Sequence, residues 1–285
     1  MPKVTYNSKL NDLTFIAFDV ETTGLSPVAN RLVELSGVKF SYDSAKVETF
    51  SELIDPEMPI PPEVTRIHGI TDEMVDGKPT VARVIPAFLD WIGDDSVLIA
   101  HNAPFDLEFM RVNIARLGLG CPDNYVVDTL VLSREVMPEA PRHQLKTIVE
   151  LLELPSGGYH RALADSEHVK EVFRKLTMAS HFPCFENLCA IGAVTTFNFD
   201  QFAEQVQDAL PAEAKRTMER IQKAIEGKLM VEITYNGAVV SKRQVKPISL
   251  VHSRGQIYLT AFCQMVRAER TFRIDRIASL SSSEV

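Results

Sequence analysis

The hydrophobic pattern of this chain changes kind once along its length, and that change limits what the chain can fold into. Up to residue 178, short apolar runs of strand length alternate with stretches of helical spacing; beyond Gly227 the runs follow one another as strands alone. Residues 13–20 (LTFIAFDV) read as a buried strand, followed by strands over 31–41 and 47–54. A helix over 80–92, a short strand over 96–100 and an amphipathic helix over 105–117 come next. Residues 125–128 form a strand end leading into another helix, and helices over 146–154 and 163–178 close the region. Such alternation predicts an α/β sheet with helices packed on it. The later segments LMVEITYNG, VVSKRQVKPISLV, GQIYLTAF and RTFRIDRI predict a small, mainly antiparallel β unit. Asn236-Gly237 is its good hairpin turn and Arg254-Gly255 a weaker one.

Between the two regions, residues 179–199 mix Pro183, Gly192 and aromatics without a period, which reads as a partly packed connector. A short helix is expected over 202–210. A longer one starts at Pro211-Ala212-Glu213 and runs to about 226, with proline near the first turn, where its missing N–H costs little. The division is therefore a domain at 10–178, a connector at 179–212, and a second domain with a leading helix at 213–285. The chain has no internal repeat and no low-complexity segment beyond the short Ser281-Ser282-Ser283 tail.

A length of 285 residues accommodates two ordinary domains. The net charge of −8 conceals an asymmetry: residues 228–285 carry nine Lys and Arg against four Asp and Glu, a balance of +5, leaving −13 for the rest. An acidic front and a basic back imply different partners, and a front rich in carboxylates suits a site that holds cations. Four scattered cysteines make no disulfide framework. Cys184 and Cys189, with His181 nearby, are spaced as half a zinc site, but no second pair follows, so buried or incidental thiols are the favoured reading. No run of eighteen apolar residues exists to span a membrane, and the first residues lack the apolar core of a signal peptide, so a cytoplasmic protein is expected.

The chemistry concentrates in three short elements. Asp19 and Glu21 end an apolar strand one residue apart, so both carboxylates point to the same face. Two anions about 4 Å apart repel by about 4 kcal/mol at an effective dielectric of 20, which calls for a proton or a cation between them. The following Thr22-Thr23-Gly24 offers hydroxyls and free N–H groups. In AHNAPFD (residues 100–106) a buried strand runs into Asn102, and Asp106 lies in the first turn of a helix. In HRALAD (160–165), preceded by Ser156-Gly157-Gly158-Tyr159, the glycines read as a mobile loop that lets His160 swing, while Asp165 is fixed on the helix that follows. Alone, each element has a bland explanation: a solvated strand end, a carboxylate suiting a helix dipole, an isolated histidine.

Taken together and in order, FDVETTGL, HNAPFD and HRALAD resemble the three exonuclease motifs of the DEDD superfamily, histidine subtype, over roughly residues 12–178. Secondary signatures agree: Leu32-Val33-Glu34-Leu35 before Gly37, Ile67-His68-Gly69-Ile70-Thr71, Val127-Asp128-Thr129-Leu130 and Leu145-Lys146. The resemblance implies a ribonuclease-H-like fold in which Asp19, Glu21, Asp106 and Asp165 ligate two divalent cations, Mg²⁺ or Mn²⁺, and His160 is the general base. It implies hydrolysis from a free 3′ end to nucleoside 5′-monophosphates. Thr22, Thr23, Leu25 and His68 match positions that hold the terminal nucleotide. Phe105 has two readings, a ring stacked on a base and an anchor for its helix. Asp128 is read as ordering the local backbone and not as a ligand.

Residues 221–280 are similar to a WYL domain, a small Sm-like β barrel, through KAIEGKLMVEITYNG, RQVKPISLV, GQIYLTAF and RTFRIDRI. The naming tripeptide departs at its first position, as Ile257-Tyr258-Leu259. Along RTFRIDRI, Phe272 and Ile274 face the core and leave Thr271, Arg273 and Asp275 on the other face. The resemblance implies a nucleotide or nucleic-acid ligand for this unit, with Arg243, Arg254, Arg270, Arg273 and Arg276 as phosphate contacts. The reading that results is a metal-dependent 3′→5′ exonuclease acting on single-stranded DNA or RNA, or on 3′ ends, with a WYL domain that guides substrate or gates activity. Its alternatives are a non-catalytic end-binding sensor and a proofreading subunit bound to a polymerase.

Overall fold

The structure is a computed structural model that describes residues 4–44, 46–155, 157, 160–198 and 210–282. It divides into two compact units, each built on its own sheet. The first sheet holds β1 (Thr14–Thr22), β2 (Leu32–Ser41), β3 (Val47–Leu53), β4 (Val97–Ala100), β5 (Tyr125–Asp128) and β6 (Val194–Thr196), in the order β3-β2-β1-β4-β5-β6. β4 runs parallel to β1 and to β5; the remaining pairs are antiparallel. The helices along this stretch of the chain are α1 (Pro62–His68), α2 (Asp72–Val75), α3 (Val81–Ile92), α4 (Pro104–Arg116), α5 (Thr129–Val136), α6 (Leu145–Leu151), α7 (Ala162–Ala179) and α8 (Phe185–Ala190).

β1 is buried on both faces, and its alternation sorts the two layers. Phe15 and Ala17 face a core shared with Val169, Val172, Phe173 and Leu176 of α7. Phe18 points the other way, onto Phe88 of α3, which also meets Phe50 and Trp91. α7 is tied to the sheet by polar pairs as well: Ser36 and Ser166 hydroxyls lie 2.7 Å apart, and Tyr42 and Thr177 hydroxyls likewise. Gly37 of β2 is required by a close approach. A Cβ there would lie 2.7 Å from Cζ3 of Trp91 and 3.3 Å from Cγ2 of Ile16. Gly37→Ala should therefore cost about 1–3 kcal/mol by overpacking, read as a lower urea midpoint at unchanged slope.

Two features of this unit differ from the sequence reading. α1 and α2, of seven and four residues, are too short to display a helical period and are not anticipated. The stretch read as a connector contains α8 and β6, and β6 pairs with β5 at the sheet edge. Cys184 belongs to the N-terminal cap of α8, where its backbone N–H donates to Asn187 Oδ1 at 3.1 Å. The helix expected over 202–210 falls outside the described residues except at Leu210, as does most of the Gly-Gly loop before His160. Among the described residues, no helix is long and apolar enough to cross a membrane.

The second unit begins with α9 (Ala212–Glu226), followed by β7 (Val231–Asn236), β8 (Val240–Ser253), β9 (Gln256–Cys263), β10 (Ala268–Arg273) and β11 (Ile277–Ser282). The strands pair antiparallel in the order β10-β9-β8-β7-β11. β8 is long enough to serve two partners, and a bulge between Pro247 and Ser249 lets it bend. Ile221 and Ala224 of α9 join Val231, Ile233, Val245, Leu259, Phe272 and Ile274 in one core. Phe272 and Ile274 are buried, as their alternation requires. Among the described residues no ladder joins β10 to β11, so the hydrogen bonds of the five strands do not close the expected barrel. The ranking of the turns is reversed. Arg254 and Gly255, with φ of 48° and 71°, make the two-residue loop, and Ser253 pairs with Gln256. Asn236 stays in β7 opposite Val240, leaving a three-residue loop at 237–239.

Candidate active site

Asp19 and Glu21 continue the face of β1 that carries Phe15 and Ala17, the face α7 covers. On α7, Asp165 stands four, seven, eight and eleven residues before Val169, Val172, Phe173 and Leu176, so it shares their stripe and meets the strand end. Ligand atoms of Asp19, Glu21 and Asp165 lie within 4.8 Å of one another. Asp106 arrives differently. β4 pairs with β1 only as far as Ala17, and beyond that point the backbone N–H of Val20 donates to Asp106 Oδ1 at 3.1 Å. Asp106 is buried, and its charge is the largest electrostatic influence on Asp19.

The cost of this crowding appears in the carboxyl groups. Burial, then Asp106, Glu21, Asp165 and Glu34 in turn, holds Asp19 well above the usual carboxylate range. Burial and the neighbouring carboxylates push Glu21 up to about 8. Burial takes Asp106 to about 8 against the opposing hydrogen bond from Val20, and it raises Asp165 as well. Asp165 Oδ2 accepts from the backbone N–H of His160 at 2.9 Å, while its buried Oδ1 makes no hydrogen bond and has Nδ1 of His168 only at 3.6 Å. Carboxylate oxygens alone, one of them buried and unsatisfied, make a donor set that fits hard divalent cations.

His160 precedes α7 in the left-handed region, at φ 62°, with its side chain exposed to solvent. Asn102, at φ 64°, makes a similar turn before α4, and its N–H donates to Asp128 Oδ1 at 2.9 Å. The same oxygen caps α5 through Leu130 N at 2.8 Å, so Asp128 orders the backbone that presents Asp106. Thr22 Oγ1 donates to the Gly24 carbonyl at 2.7 Å, and Thr23 Oγ1 accepts the Arg31 N–H at 2.9 Å, so both hydroxyls shape the β1–β2 turn. Leu25 projects from that turn at 75% exposure. His68 is buried at the end of α1; its Nδ1 accepts from Ile70 N at 3.0 Å, and burial lowers its pKa. Phe105 is half-buried and packs on Phe109 at 5.1 Å.

Glu34 is the site residue whose role the sequence reading missed. It is a buried carboxylate on β2, directly opposite Glu21, and it accepts from Arg161 and from the backbone of Ala162. The visible signal was a glutamate inside the apolar run LVELSGV.

In the second unit, Arg273 forms a bidentate pair with Asp275 at 3.0 and 2.6 Å, which occupies its fork. Arg243 donates to Ser241 Oγ and Met265 Sδ, both at 3.1 Å. Arg254, Arg270 and Arg276 are exposed. Ile257 and Leu259 of the tripeptide are buried, with Tyr258 half-buried between them.

Comparison with known proteins matches two families along the chain. The exonuclease family RNase_T matches residues 16–173, and the WYL domain family matches 216–282. The PolC-type DNA polymerase III of Halalkalibacterium halodurans is 39% identical over 167 residues, which are 58% of this chain and 12% of that protein. The PolC-type polymerase of Listeria welshimeri is 40% identical over 167 residues, 58% of this chain and 11% of its own length. The chain thus spans about a tenth of these relatives. Among solved structures, the cell-death related nuclease CRN-4 superposes with a TM-score of 0.52 at 14% identity, covering 60% of this chain and 64% of that one, a likeness of fold. With the three acidic motifs brought to one end of β1 and more than half the chain matched, the protein belongs to the RNase_T exonuclease family and carries a C-terminal WYL domain.

Proposed function

We propose that the protein is a divalent-metal-dependent 3′→5′ exonuclease that releases nucleoside 5′-monophosphates from DNA or RNA ends. The observation that carries this reading is the convergence of Asp19, Glu21 and Asp165 within 4.8 Å beside buried Asp106. These four carboxylates would hold two Mg²⁺ or Mn²⁺ ions, which when bound supply Lewis-acid activation of the scissile phosphate and of a water. His160 takes the proton of the attacking water on its imidazole. The water oxygen bonds to phosphorus, the P–O3′ bond breaks, and the departing O3′ takes a proton from solvent, leaving the preceding nucleotide with a new 3′ hydroxyl. Exposed Leu25 packs against the terminal base, and the Thr22–Thr23 turn and His68 shape the pocket around it. Phe105 keeps both roles, a base contact and a helix anchor; its half-buried ring packs on Phe109 one turn along the same helix.

The WYL unit, with a balance of +5 over residues 228–285, supplies electrostatic attraction for the substrate backbone. Arg243, Arg254, Arg270 and Arg276 are its proposed phosphate contacts, with Arg273 committed to Asp275. The test is a time course on 5′-labelled single-stranded DNA and RNA with Mg²⁺ or Mn²⁺. The expected result is a ladder shortening from the 3′ end and abolished by EDTA. Intact substrate in both metals, despite measurable binding, would overturn the reading in favour of an end-binding sensor. A polymerase-bound proofreading role is the second reading, favoured by the PolC relatives, and it predicts preference for a mispaired 3′ terminus.

A further inference from the structure

Five carboxylates meet at the end of β1, and one of them does not behave like the others. Glu34 is 1% exposed and faces Glu21 across the β1–β2 ladder, yet both its oxygens are taken. Oε1 accepts from Arg161 Nη2 at 2.8 Å; Oε2 accepts from Arg161 Nε at 3.2 Å and from the backbone N–H of Ala162 at 2.9 Å. That is a fork-to-fork pair, the geometry in which a guanidinium fixes orientation as well as charge. Three of the four lone-pair positions on its oxygens are thus taken, and Glu34 stands apart from the group formed by Asp19, Glu21 and Asp165.

The contact lies at a point where α7 needs one. Arg161 is the N-cap of α7 but makes no capping hydrogen bond with its own side chain. Glu34 supplies the cap from another element, placing a negative charge at the positive end of the helix and accepting an otherwise unpaired N–H. One residue earlier, His160 holds a left-handed backbone and donates its N–H to Asp165. The 160–162 segment is therefore pinned at both ends, by Asp165 on its own helix and by Glu34 on the sheet.

We propose that Glu34 and Arg161 form a latch that positions His160 and Asp165 against the β1 carboxylates. Glu34 is a positioning residue, neither a metal ligand nor a group that exchanges protons with substrate. This inference rests on the exonuclease reading. Breaking the latch leaves the substrate-facing Leu25 and Thr22 in place but lets the base and one ligand drift, so the loss falls on kcat and little on KM. A displacement of about 1 Å is worth about 10²-fold in rate.

The experiment compares wild type with Glu34→Ala, Glu34→Gln and Arg161→Lys, each also placed in a His160→Ala background. Expected are a kcat about 10²-fold lower in Glu34→Ala at similar KM, and partial recovery in Arg161→Lys, which keeps the charge and loses the fork. In the His160→Ala background, Glu34→Ala should cost far less, because part of what it positions is already gone. Equal losses in both backgrounds would overturn the latch and leave a general folding role. Hydrogen–deuterium exchange of the 160–165 segment reads the latch without turnover. Faster exchange in soluble, folded Glu34→Gln supports it, and unchanged exchange overturns it. An inactive wild type with normal latch exchange would instead count against the exonuclease reading alone.

Discussion

Asp19→Asn should lower nuclease turnover by on the order of 10³-fold or more and, in the same preparation freed of metal, raise the thermal midpoint. The first effect follows from position. Asp19 is the residue on which Asp106, Glu21 and Asp165 all act, so a neutral amide there weakens any cation site the group forms. The second follows from burial and crowding: a carboxyl held well above its ordinary range has to take up a proton on folding at neutral pH, which costs stability, and an amide has no proton to take up. An asparagine keeps the shape, and its amide can donate to the neighbouring carboxylates. Each kcal/mol relieved is worth about 2–4 °C for a domain of this size. The two readouts move in opposite directions, which a mere folding defect cannot imitate. Turnover retained in Asp19→Asn would remove Asp19 from the reacting centre; a lowered midpoint in EDTA would show that burying the Asp19 carboxyl costs the fold nothing.

Most of that geometry was legible beforehand because it depends on periods. Alternation along β1 puts Asp19 and Glu21 on one face, and helical spacing puts Asp165 on the buried stripe of α7; both periods survive in the fold. What the sequence left hidden depends on partners distant in the chain. Nothing local says that Asp106 accepts from Val20, 86 residues away, or that Glu34 caps α7 from 128 residues away. Short elements escaped for another reason. A three-residue β6 and a four-residue α2 have no room for a period, and tertiary packing decides them. The turn ranking differs because an Asn-Gly pair carries no register: β7 pairs through Asn236, which moves the reversal one residue on, while Arg254 accepts a left-handed φ that glycine or asparagine adopts more readily.

The stability of the metal-free protein should fall as pH rises from about 5 to 8, and added Mn²⁺ or Mg²⁺ should reverse the fall. Glu21 and Asp106 have ordinary values of 4.5 and 3.8 and stand near 8 in the folded chain. Between those values the folded state binds more protons than the unfolded one, so raising the pH favours unfolding. This is the reverse of the familiar salt-bridged carboxylate, whose stabilisation is lost on acidification. A divalent cation competes with those protons. Its affinity therefore climbs with pH, and the midpoint shift it causes should be larger at pH 8 than at pH 6. At a hundredfold excess over the dissociation constant the gain is about 2.7 kcal/mol. Thermal melts in EDTA, then with each metal, across pH 5–8 measure both slopes, and Asp19→Asn should flatten both. A midpoint indifferent to pH in EDTA would mean that the cluster is not protonated when empty. A metal shift that did not grow with pH would mean that cations bind elsewhere, because only a site that must give up protons couples the two.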